Sequence, residues 1–120
     1  MNERLRARLV DVCDEARFSL DLVSRHGERI ETDVVLRKAL KRSCEIAGEA
    51  LRAMVAHDPE IPAEFPSLPW REAIGLRMKL AHGYDSITPR RLIEVVEREF
   101  PSLLEQAEAI LRAGPDPRAS

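Results

Sequence analysis

The chain has 120 residues, 44% of them hydrophobic and 33% charged, and its 19 basic side chains nearly cancel 21 acidic ones to leave a net charge of −2. That balance excludes a wholly basic coat and a long acidic tail, so any contact with nucleic acid has to come from a local basic patch. Two cysteines are too few for a disulfide scaffold, and no apolar run approaches the roughly 20 residues of a bilayer span.

From Met1 to about Arg25 the apolar residues Leu5, Leu9, Val12, Cys13, Ala16, Leu20 and Val23 recur at steps of three and four, the helical period. Gly27 follows where a C-cap belongs, with Arg25 and His26 at the negative end of the helix dipole. A second helix is predicted from Thr32 or Asp33, both competent N-caps, with the stripe Leu36, Leu40, Cys44, Ala47, Leu51, Met54 and Val55. It ends at Asp58-Pro59, because the residue before a proline resists helical geometry. Gly48 in its middle costs about 1 kcal/mol relative to alanine and marks a close approach of another helix.

Four prolines from Pro59 to Pro69 predict an irregular connection, pinned by Ile61, Phe65 and Leu68. A third helix is expected from Trp70 to about His82, with Pro69 in its first turn and the indole as a packing anchor whose N–H needs a partner. A fourth starts at Thr88-Pro89 and runs through Leu92, Val95 and Val96 until Phe100-Pro101 kinks or ends it. Ser102 and Glu105 then read as a capping box for a final stretch. The expected fold is all-α, an antiparallel up-and-down bundle of four main helices plus a short fifth where the proline permits one. It occupies residues 1–113 as a single domain, with residues 114–120 a disordered tail. With no signal-peptide segment in MNERLRARLVDV and no disulfide framework, a soluble cytoplasmic protein is expected.

His26, His57 and His82 are scattered, which predicts no metal site, and there is no glycine-rich phosphate loop or nucleophile elbow. No cofactor is expected. Cys13 and Cys44 lie on apolar stripes and read as inert core thiols. One segment stands apart. Arg77 to Ser86 brings a guanidinium, an imidazole and the only tyrosine, Tyr84, close together, with Lys79 inside it, Arg71 upstream, and Arg90 and Arg91 downstream. These residue types suit RNA cleavage without a metal. A histidine can take the proton of a ribose 2′-hydroxyl or protonate the leaving oxygen. A planar guanidinium can stabilise the charge that grows on the phosphate. Spacing alone does not single this pair out, because Arg52 and His57 repeat it at the end of the second helix, where a histidine serves equally as a helix-end cation. Five residues on a helix are about 140° apart, so Arg77 and His82 share a site only if the helix ends near Ala81 or a second subunit helps.

Three blocks resemble the HepT-like branch of the HEPN domain proteins, small helical toxins paired with minimal nucleotidyltransferase antitoxins. CEIAGEALRAM (Cys44 to Met54) is similar to the family's Gly-Glu-Ala stretch. PSLPWREAIGLR (Pro66 to Arg77) resembles its Pro-Trp turn and following helix. RMKLAHGY (Arg77 to Tyr84) matches its pattern of arginine, four residues, histidine, any residue, tyrosine. The resemblance covers about residues 5 to 112 and selects Arg77 and His82 over Arg52 and His57, since only the former are followed by tyrosine. It implies a homodimer with the motif facing a cleft between subunits, and a metal-independent endoribonuclease whose catalytic pair is Arg77 and His82. It implies further that a cognate nucleotidyltransferase antitoxin silences the toxin by transferring AMP to Tyr84. Lys79 and Arg71 are expected to assist in holding RNA. One departure bears on activity: the family usually carries a small polar residue after the arginine, and Met78 stands there, a thioether that cannot donate a hydrogen bond. The competing reading is a non-catalytic helical interaction module that binds a nucleotidyltransferase. Glu49 reads as a solvated helical charge or a structural partner for a buried arginine, ahead of a catalytic role.

Overall fold

The computed structural model describes residues 1–81 and 87–113. Four long helices carry the fold. These are α1 (Glu3–His26), α3 (Val34–His57), α5 (Trp70–Ala81) and α6 (Pro89–Arg112), with single-turn helices α2 (Arg29–Thr32) and α4 (Ile61–Glu64) between them. Among the described residues there is no strand, as the helical periodicity requires.

The ends of the helices follow from local chemistry. Asn2 caps α1 by accepting from the Leu5 amide at 2.9 Å, and Gly27 ends it at φ +48°, a conformation that penalises side chains. Asp33 caps α3, its carboxylate accepting from the amides of Val35 and Leu36. Thr88 caps α6 through the Arg91 amide, with Pro89 in the first turn where its missing N–H costs nothing. Pro69 lies just before α5 rather than within it, and its carbonyl accepts from the Ala73 amide at 3.0 Å. The Trp70 indole is buried and donates to the Phe65 carbonyl at 2.9 Å, the partner that a buried indole needs.

Two expectations change. The expected short fifth helix from Ser102 does not form as a separate element, because α6 continues through Pro101 to Arg112. Pro101 is exposed, while Leu92, Val96, Phe100, Leu103 and Ala107 form one buried stripe on both sides of it. Burial of that stripe outweighs the single backbone hydrogen bond that proline removes. The proline-rich connection is also not wholly irregular, since α4 forms one turn inside it and fully buries Ile61.

The core is one cluster running from Leu5 to Ala107. Its main seams are α1 against α3, α1 against α6, and α3 against α5. Cys13 and Cys44 are both buried and free. Burial pushes the Cys44 thiol up to about 12, and it raises that of Cys13 against the opposing pull of Arg17. Such thiols pack as small hydrophobes. No helix among the described residues is long and apolar enough to cross a membrane. The expected tail, residues 114–120, lies outside the described residues.

Candidate functional site

The site is built where α5 crosses α3. Gly48 stands at the contact: a methyl group there would meet Arg77 Cβ at 2.5 Å and the Ala73 carbonyl oxygen at 2.7 Å. Only a residue without a side chain lets the two backbones come this close. The mid-helix glycine thus has the packing role that its position implied, and the residue it admits is Arg77.

The next residue of α3 holds that arginine. Arg77 Nε lies 3.0 Å from Glu49 Oε2 in an ion pair whose side chains are 29% and 38% exposed. Glu49 is at the same time forked by Arg52, which donates from Nε to Oε2 at 3.0 Å and from Nη2 to Oε1 at 2.7 Å. The hydrogen bonds from Arg52 lower the Glu49 carboxyl below its ordinary value, and the charges of Arg52, Arg77 and Arg8 add to the effect while partial burial opposes it. Glu49 is therefore a carboxylate at neutral pH, and Arg77 is oriented by it along one edge. The two terminal nitrogens of Arg77 have no ion-pair or hydrogen-bond partner among the described residues.

A cleft of about 370 Å³ opens beside this pair, lined by Arg4 and Arg8 of α1 and by Glu49, Arg52 and His57 of α3. Arg52 and His57, the repeat of the motif spacing, thus line a common cleft joined to Arg77 through the Glu49 carboxylate.

The remaining expected site residues are placed less centrally. Lys79 and Arg71 are exposed on α5 with no ion pair among the described residues. Helical geometry rotates each more than about 100° around α5 from Arg77. Met78 is 51% exposed beside Arg77. His82 and Tyr84 lie outside the described residues, which resume at Ile87. Among the described residues no group of three or more His, Cys, Asp and Glu side chains is arranged to hold a metal ion.

Of the readings of Glu49 the arginine partner fits the geometry, although Arg77 and Arg52 are 29% and 47% exposed rather than buried. Sequence reasoning missed the joint of Glu49 with Arg77, 28 positions away. The available signal was the pairing of a mid-helix glycine with an adjacent carboxylate: the first draws another helix in and the second needs a cation from it.

Comparisons with known proteins place the chain in a family. Residues 13–110 match the family described as Ribonuclease HepT-like. A candidate RNase of Caldanaerobacter subterraneus subsp. tengcongensis is 33% identical over 112 residues, covering 89% of this chain and 94% of that protein. A candidate RNase of Methanocaldococcus jannaschii is 29% identical over 108 residues, covering 88% and 95%. A Thermococcus cleftensis protein named "Probable ribonuclease HepT" is 36% identical over 76 residues, covering 60% and 63%. No solved structure matches the chain. With most of its length matched by the family and by these relatives, the chain belongs to the HepT-like ribonuclease family.

Proposed function

We propose that this protein is a metal-independent endoribonuclease, the toxin of a toxin–antitoxin pair, with Arg77 and His82 as its catalytic residues. The observation that carries the reading is the presentation of Arg77. Glu49 fixes one edge of its guanidinium and no protein group among the described residues takes the other, which is the state needed to receive a phosphate. In the reaction the ribose 2′-oxygen loses its proton to His82 and attacks the adjacent phosphorus. The bond from phosphorus to the 5′-oxygen breaks, a proton returns to that oxygen, and Arg77 offsets the charge on the phosphate oxygens. No step calls for a metal, so activity persists in EDTA. Lys79 and Arg71, on other faces of α5 from Arg77, add to the positive field that draws RNA in rather than contact the phosphate at Arg77.

The resemblance further supports a homodimer of 1–113 domains acting in the cytoplasm, with two motif segments at one cleft. Light scattering should then give about twice the chain mass of 13.6 kDa. It supports a cognate nucleotidyltransferase as antitoxin. In that reaction the Tyr84 phenolic oxygen forms a bond to the α-phosphorus of ATP, pyrophosphate leaves and the phenol gives up its proton. The added phosphodiester repels incoming RNA phosphates.

A second reading has one observation in its favour. Met78 stands half exposed next to Arg77 where the resemblance leads one to expect a small polar residue, which suits a module that binds the nucleotidyltransferase without cutting RNA. The test is cleavage of total cellular RNA by the purified wild-type chain and by Met78→Asn. Cleavage by the wild type supports the enzyme. Cleavage by Met78→Asn alone supports the second reading for this chain. Cleavage that survives His82→Ala removes the assignment of the catalytic pair. Intact mass after co-expression with the nucleotidyltransferase checks the acceptor: the adenylyl mass should vanish in Tyr84→Phe, and its survival would move the acceptor to Ser86 or Thr88.

A further inference from the structure

We infer that the cleft of Arg4, Arg8, Arg52 and His57 is a second phosphate-binding site, which holds the backbone of single-stranded RNA next to the phosphate at Arg77. The inference rests on the reading of the chain as an RNA-cleaving enzyme and names where the rest of the strand lies.

Three observations carry it. The first is the arrangement of charge. Arg4 and Arg8 are four residues apart on α1, so both side chains project from one face, and both are exposed. Neither has an ion pair or a side-chain hydrogen bond among the described residues. Two like charges on one face weaken a helix, and a guanidinium in the first turn, that of Arg4, opposes the dipole. Neighbouring arginines do not share this condition. Arg6 donates to the Leu111 carbonyl at 3.3 Å, and Arg17 reaches Glu108 at 2.9 Å. Arg4 and Arg8 face the cleft with no direct ion pair among the described residues, the Glu49 carboxylate acting on Arg8 only through longer-range charge, and an anion from outside offsets both penalties.

The second is the cleft itself. At about 370 Å³ it lies towards the small end of the roughly 300–1,000 Å³ usual for ligand sites, a size for a sugar-phosphate unit rather than a protein surface. Its only acidic residue is Glu49, whose two oxygens are engaged by Arg52 and Arg77. The lining therefore keeps a positive balance although the whole chain carries −2. His57 closes the end of the cleft next to Asn2, its Nε2 3.4 Å from the Asn2 side-chain nitrogen. It supplies a ring beside the phosphate groups.

The third is continuity. The Glu49 carboxylate joins Arg77 on α5 to Arg52 in the cleft through contacts of 3.0 Å or less. A strand with one phosphate on the terminal nitrogens of Arg77 reaches the cleft at its neighbouring phosphates. The repeat of the arginine–histidine spacing at Arg52 and His57 thereby has a place along the same strand.

The experiment uses the full chain and a fluorescein-labelled single-stranded RNA in which every ribose is 2′-O-methylated, so that it binds and cannot be cut. Anisotropy is measured over a series of salt concentrations for the wild type, for Arg4→Ser/Arg8→Ser and for Arg4→Lys/Arg8→Lys, with circular dichroism confirming helix content. At low salt the serine variant should bind about tenfold more weakly. Its plot of log affinity against log salt should be shallower by about 1.4, corresponding to two lost phosphate contacts on a single strand. The lysine variant should recover most of that slope. An unchanged slope in the serine variant overturns the inference, as does a wild type that does not bind this RNA. The two readings separate cleanly. A wild type that cuts unmodified RNA while the slopes coincide keeps the cleavage reading and loses the cleft. A wild type that never cuts while the slopes differ as expected keeps the cleft as an RNA site and loses cleavage.

Discussion

Helix α3 meets its two long neighbours in opposite ways. Against α1 it closes over a sealed seam. Ser19 donates to Ser43 at 2.9 Å, Ser43 donates in turn to the Glu15 carbonyl at 3.0 Å, and the Cys44 sulfur lies 4.0 Å from Ser19. Every polar atom in that chain has a partner, and both serines are buried. Against α5 the same helix uses Gly48 for a contact of bare backbone and places a half-exposed charge network at its edge. The buried middle of the first seam holds the bundle together and offers nothing to a ligand, and only its end opens into the cleft of Arg4, Arg8, Arg52 and His57. The second gives up part of that burial to hold Arg77 in a fixed orientation at the surface. The buried stretch facing α1 thus serves stability and the Gly48–Glu49 edge serves chemistry, and substitutions at the two places should be read by different assays.

The largest effects separate the faces outright. Arg77→Ala or His82→Ala should lower RNA cleavage by about 10² to 10⁴ with unchanged helix content, the usual range for a phosphate-stabilising group or a general acid–base. Loss of helix in Arg77→Ala would instead make the α3–α5 seam structural. Next comes Gly48→Ala. The added methyl has to displace backbone of Ala73, so a cost of about 1–3 kcal/mol is expected. At about 4 °C per kcal/mol, calorimetry should show melting lowered by about 4–12 °C. An unchanged melting temperature would mean that the close approach is not needed.

Smaller still is Glu49→Gln. It leaves Arg77 unoriented, and cleavage should fall about tenfold while melting changes little, because exposed ion pairs contribute about 0–1 kcal/mol. Since the carboxyl is lowered in the folded chain, its contribution is complete above the unfolded carboxyl pKa of about 4.3 and is lost as pH falls through the lower folded value. The stability difference between Glu49→Gln and wild type should be flat from pH 5 to 8 and close up below about pH 4. The smallest expected signal belongs to the sealed seam: an exposed-thiol reagent at pH 8 should modify neither Cys13 nor Cys44 in the native chain and both after unfolding. Fast native labelling of Cys44 would show that the α1–α3 seam opens.

The long helices and their caps were legible because their causes are local. Asn2 escaped notice as a cap, but Gly27, Asp33, Thr88-Pro89 and Asp58-Pro59 act on the residues beside them. The single turns α2 and α4 were not legible. Four residues cannot sustain a helix alone, and each turn exists to bury one isoleucine, Ile30 or Ile61, against distant parts of the core. Pro101 misled for the same reason, its local penalty being overridden by the stripe that packs beneath it. In the site, Arg77 was legible as a residue type in a motif, whereas its pairing with Glu49 depends on two helices meeting. The placement of His82 and Tyr84 is not part of that comparison, since both lie outside the described residues.

The pairing of α6 with α1 has a consequence for how the chain assembles. Arg6 and Leu111, hydrogen-bonded across this seam, are 105 positions apart. The α1–α3 and α3–α5 seams join helices adjacent in the chain order of long elements, and loop-closure entropy favours forming them first. Until α6 docks, the flank of α1 that it covers stays open to water and to other unfinished chains. Destabilising substitutions on α6, such as Leu103→Ala at a buried position, should therefore speed unfolding more than they slow folding, and pulse-labelled hydrogen exchange should protect α6 last.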